Sequence, residues 1–110
     1  MADEIDALIE DVIVDAYGDG EQLSSFCQWF EETATFPFQA TVVGAVVEVI
    51  EIDYDGDDRR GLVAQCRRDG QNYAISLLDI VPTAAVPTET ANLFAAYRRW
   101  ANAAPLEGGR

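Results

Sequence analysis

The chain has 110 residues, 49% of them hydrophobic, with 20 Asp and Glu against 7 Arg, no Lys and no His, a formal net charge of −13. That length supports one domain, residues 1–110, with a core of modest size; the charge repels phosphate backbones and anionic membranes and favours cations or basic proteins, so neither nucleic acid nor a membrane is expected as a partner. Without histidine the commonest general base near neutral pH is missing, and no enzyme is expected.

The opening "MADEIDALIEDV" has acids where a secretory signal needs a basic flank, and the expected setting is cytoplasmic. Ile5, Leu8, Ile9, Val12, Ile13, Ala16 and Tyr17 recur at helical spacing, which predicts an amphipathic helix over residues 3–17. Gly18 is its expected stop, and Asp19 with Gln22 forms the expected cap of a second helix over residues 20–34. The apolar stripe of that helix is Leu23, Phe26, Cys27, Phe30 and Ala34. "FPF" ends it, because a residue before proline is driven to extended backbone.

From there the period becomes two. "FQATVVG", "AVVEVIEIDY", "GLVAQCRR" and "QNYAISLL" predict strands within residues 37–80, punctuated by Gly44, by the acidic "DGDD" and by "RDGQ". Short consecutive strands predict an antiparallel meander curling into a small barrel of Src-homology-3 type, with four or five strands. Thr88 caps a third helix over residues 88–103, in which Leu93, Phe94, Tyr97 and Trp100 keep the helical period. The fold class is α+β. The aromatic residues at Phe26, Trp29, Phe30, Phe36, Phe38, Phe94, Tyr97 and Trp100 are expected in the core, and Cys27 and Cys66 as buried free thiols.

The chemistry concentrates in "EIDYDGDDRRG", Glu51–Gly61, where Asp53, Asp55, Asp57 and Asp58 crowd together. Such repulsion invites a cation. Calcium takes roughly six to eight oxygen ligands from carboxylates, carbonyls and water. The alternate spacing of Asp53, Asp55 and Asp57 matches the start of an EF-hand loop, but Asp58 stands where that loop needs glycine, Ala64 where it needs glutamate, and strands flank it instead of helices. Glu51, Asp53 and Asp55 would share one face of an extended strand. The plainer reading is a solvated hairpin turn at Asp55 and Gly56, with Arg59 and Arg60 pairing locally. At the end of the second helix Glu31 and Glu32 lie by the negative pole of the helix dipole, which a cation would offset.

"IVDAYGDGEQ", "WFEETATFPFQA" and the strand run ending "LLDIVP" resemble the family of small acidic calcium-binding proteins typified by the cyanobacterial protein CcbP, over residues 8–103. The resemblance implies a small strand-built barrel with packed helices, calcium as the bound ion, and ligands at the acidic helix end, Glu31, Glu32 and Thr33. The expected metal-site residues are those three with Asp53, Asp55, Asp57 and Asp58, and the expected function is calcium binding as a cytoplasmic buffer or sensor. The alternative is an acidic module that docks a basic protein, or mimics nucleic acid, without metal.

Overall fold

The computed structural model describes the backbone of residues 3–108 and the side chains of residues 3–102; residues 1–2 and 109–110 of the expected domain lie outside it. Three α-helices, α1 (Glu4–Ile13), α2 (Asp19–Thr33) and α3 (Thr88–Gly108), accompany five strands. These are β1 (Phe38–Val42), β2 (Ala45–Asp53), β3 (Val63–Arg68), β4 (Gln71–Ser76) and β5 (Val81–Pro82). A 3-10 turn, Leu77–Asp79, joins β4 to β5. The order is the expected one, helices, then strands, then a helix.

The helix ends differ from expectation where side chains offer amides another partner. The α1 helix starts after Asp3, whose carboxylate accepts the Asp6 amide at 2.9 Å. It stops at Ile13 rather than at residue 17, because the Ala16 amide returns to the Ile13 carbonyl and Glu21 accepts the Tyr17 amide at 2.9 Å. Gly18 thereby becomes the N-cap of α2, Asp19 falls in the first turn, and Gln22 accepts the Trp100 indole N–H at 2.8 Å instead of completing a capping box. The α3 helix runs past residue 103 to Gly108.

The sheet is wholly antiparallel, in the order β4-β3-β2-β1-β5. Its ladder does not close on itself among the described residues, so the expected barrel is an open, five-stranded sheet with β4 and β5 at its edges. Two of its hairpins have two-residue turns with both central residues at positive φ, Val43–Gly44 and Asp69–Gly70. The connection from β2 to β3 is not the tight turn expected at Asp55–Gly56 but a loop over residues 54–62.

The core lies where α2 and α3 meet the sheet. Leu23, Phe26, Phe30, Leu93, Phe94 and Tyr97 are buried with Val49, Ile52, Leu62 and Cys66. Phe30 meets Phe94 edge-on at 5.1 Å and Phe26 meets Tyr97 edge-on at 5.5 Å, the arrangement that ring quadrupoles favour. Trp29, Phe36 and Trp100 are only partly buried against this core. Both cysteines are free, Cys66 buried and Cys27 half-buried.

Candidate metal centre

The decisive local feature is an irregularity in β2. Its pairing with β3 shifts register between Val49 and Glu51. Val47 and Val49 are buried, so an unbroken period of two would turn Glu51 and Asp53 into the core. The register shift reverses the alternation: Ile52 is fully buried, Glu51 exposed and Asp53 half-exposed. Two carboxylates that the core could not accept are thus delivered to one outward face.

Against that face lies the second half of α2, held there by Phe26 and Phe30 beneath it. The Cys27 thiol donates to the Ile52 carbonyl at 3.5 Å, and its sulfur is 4.0 Å from Glu31 Oε2. Burial first, and then the charges of Glu31, Asp53 and Glu51, push the Cys27 thiol up to about 11. The Glu51 carboxyl is also raised above its ordinary value, chiefly by its side-chain hydrogen bond to Asp53, then by the Asp53 charge, desolvation and Glu31. Asp53 further accepts from Gln65 Nε2 at 3.1 Å. Glu51 therefore feels both its strand neighbour Asp53 and, across the α2–β2 seam, Glu31.

The remaining expected ligands are distributed differently. Glu32 accepts from Gln28 Nε2 at 3.3 Å on the exposed side of α2, where it, Glu31, Cys27, Ser24 and Tyr54 line an open trough of about 430 Å³. Thr33 faces away from this trough, towards the cleft between α1 and α3. Asp55 and Asp57 are occupied in shaping the loop. Asp55 accepts the Asp57 amide at 3.0 Å and pairs with Arg60 at 3.2 Å, while Asp57 accepts the Arg59 amide at 3.0 Å. Asp58 accepts from the Tyr54 hydroxyl, whose ionisation is pushed up to about 12 mainly by that bond. The sequence places Glu51 on a shared face with Asp53 but not in the expected ligand set, because the register shift that turns this face outward comes from pairing with β3.

The donor set suits a hard cation. Every charged donor along the seam is a carboxylate oxygen, the ligand type that calcium takes, and one half-buried thiol with no histidine falls short of the sulfur and nitrogen ligands that zinc selects. Among the described residues no three Asp, Glu or Cys side chains already stand together as a closed cage.

The family model for CcbP-type calcium binding matches residues 6–101. The chain belongs to this calcium-binding family. The CcbP fold is equally plain in three dimensions: the crystal structure of Anabaena CcbP superimposes with a TM-score of 0.76 at 24% identity, covering 92% of either chain. A calcium-binding protein in its calcium-binding form gives 0.75 at 23% identity, over 93% of this chain and 96% of the other. At those identities the likeness carries the CcbP fold. No curated protein matches the chain. Among the described residues no helix is long and apolar enough to cross a membrane.

Proposed function

We propose that this CcbP-family chain binds calcium at the α2–β2 seam, with Glu31, Glu51 and Asp53 as the charged ligands and Glu32 on the rim. The observation that carries the reading is the Glu51–Asp53 pair: neighbouring carboxylates turned outward by a break in strand register, with the Glu51 carboxyl raised by its neighbour. A divalent cation relieves that repulsion and takes the place of the proton the two carboxylates share. Asp55, Asp57 and Asp58 form the competing site, and would have to give up loop hydrogen bonds and the Arg60 ion pair to serve it.

Within this reading the protein acts as a cytoplasmic buffer rather than a sensor. The elements that hold the ligands are pinned by fully buried Phe26, Phe30, Val49 and Ile52, so binding rearranges exposed side chains and leaves the packed layers in place. Calorimetric titration with calcium in millimolar magnesium tests the binding, and a hydrophobic dye tests the role. Saturable heat with unchanged dye fluorescence is expected. Absence of saturable heat at two well-separated temperatures overturns calcium binding, and a calcium-dependent rise in fluorescence overturns the buffer.

A further inference from the structure

On the other side of α2 from the seam, α1, α2 and α3 leave an open groove of about 390 Å³. Its floor is apolar: Leu8 from α1, Trp29 from α2 and Leu93 from α3. Its rim is acidic, with Glu4 and Asp11 on α1 and Glu89 at the start of α3, and no basic side chain lines it among the described residues. Trp29 is half-buried, and its indole N–H makes no hydrogen bond among the described residues. Tryptophan with an open polar handle is typical of protein contact surfaces, where the ring supplies area and the N–H awaits an acceptor.

We propose that this groove docks a basic amphipathic segment of a partner protein, placing an apolar anchor side chain over Leu8, Trp29 and Leu93 and its flanking Arg or Lys side chains against Glu4, Asp11 and Glu89. Charge decides the occupant. A second copy of this chain would bring a further net −13 to an acidic rim, and nucleic acid or an anionic membrane would be repelled as strongly. A cationic segment gains from that field, and a groove of this volume has room for one or two bulky side chains. Helix-in-groove recognition of this kind needs apolar anchors for affinity and charges for orientation and rate. The groove shares no carboxylate with the α2–β2 seam, so the proposal stands or falls independently of calcium.

The test uses the full chain and a synthetic amphipathic peptide with Arg and Lys flanking a Leu/Trp anchor, beside a peptide of equal charge with the anchor replaced by Ser. Binding is followed by nuclear magnetic resonance of the Trp29 indole N–H and the Leu8 and Leu93 methyl groups. The anchored peptide is expected to bind at least about tenfold more tightly than its anchorless control and to shift those three residues. The triple change Glu4→Gln, Asp11→Asn and Glu89→Gln should cost at least about tenfold, whereas Glu10→Gln, Asp15→Asn and Asp79→Asn, with the same change in net charge, should cost less than about threefold. Equal affinity for the two peptides, equal loss in the two triple variants, or shifts away from Trp29 would each overturn the groove in favour of diffuse attraction.

Discussion

The phenolic oxygen of Tyr97 accepts the Leu62 amide at 3.0 Å, tying α3 to the residue where the acidic loop re-enters the sheet. Both residues are buried, so this amide has no water to turn to. Gly61, beside it, has a φ of +70°, and a Cβ there would stand 2.6 Å from the Tyr97 oxygen. Tyr97→Phe should therefore destabilise the protein by about 1–3 kcal/mol, the cost of orphaning a buried donor. Gly61→Ala should cost at least as much, since it adds backbone strain to the clash. Urea denaturation measures both. Wild-type stability in Tyr97→Phe would show that the loop amide has another partner.

Val43 is 99% exposed and holds a φ of +50° in a two-residue hairpin turn, a conformation that β-branched side chains resist. The corresponding turn between β3 and β4 has Asp69–Gly70, a favoured pair for that geometry. Val43→Asn makes an Asn-Gly turn and should stabilise the fold by about 1 kcal/mol, read as a rise in urea midpoint at unchanged slope.

Calcium should raise the melting temperature more than sodium chloride of equal ionic strength, because a ligand specific to the folded state stabilises it beyond screening. The paired change Glu51→Gln with Asp53→Asn should abolish that excess and weaken calcium binding by about tenfold or more. Asp55→Asn with Asp57→Asn should leave affinity within about threefold, because those side chains already serve the loop. The opposite ranking in calorimetry would move the site to the loop.

Glu51 makes a pH prediction with a definite sign. Its folded carboxyl is raised above the ordinary value, so the native state retains this proton after the unfolded chain has lost it, and stability falls as pH rises from the ordinary carboxylate range through the folded value. Glu51→Gln removes this contribution. The variant should gain thermal stability over the wild type as pH rises from about 4 to 7 without calcium, and the gap should narrow when calcium is added. A gap independent of pH would mean that Asp53 does not perturb Glu51.

With its thiol pushed up to about 11, Cys27 should be alkylated by iodoacetamide near pH 8 at least about tenfold more slowly in the native protein than in urea, since the thiolate is the nucleophile. Its native rate should climb steeply between pH 9 and 11, towards the raised value. Rapid modification near pH 8 would mean that the acidic seam does not enclose the thiol.

Much of this molecule is written locally. The apolar periods of α1, α2 and α3, the change to alternation after Pro37, the aromatic core and the Asp69–Gly70 turn all follow from preferences that a residue exercises with its near neighbours. So do the acidic character of "EIDYDGDDRRG" and its ability to fold into a loop through its own carboxylates. The end of α1 was less legible, because the Tyr17 amide is taken by Glu21 from the next helix.

Tertiary structure alone decided which acids face one another. Strict alternation along β2 would have sent Glu51 and Asp53 inward after Val47 and Val49, and only pairing with β3 introduces the register shift that turns them out. Glu31, distant in sequence, joins them because Phe26 and Phe30 bury the opposite side of α2 and lay Cys27 against the Ile52 carbonyl. Strand register and helix docking depend on partners far along the chain, so no window of local sequence encodes the seam; composition shows that carboxylates are abundant, and packing determines which of them meet.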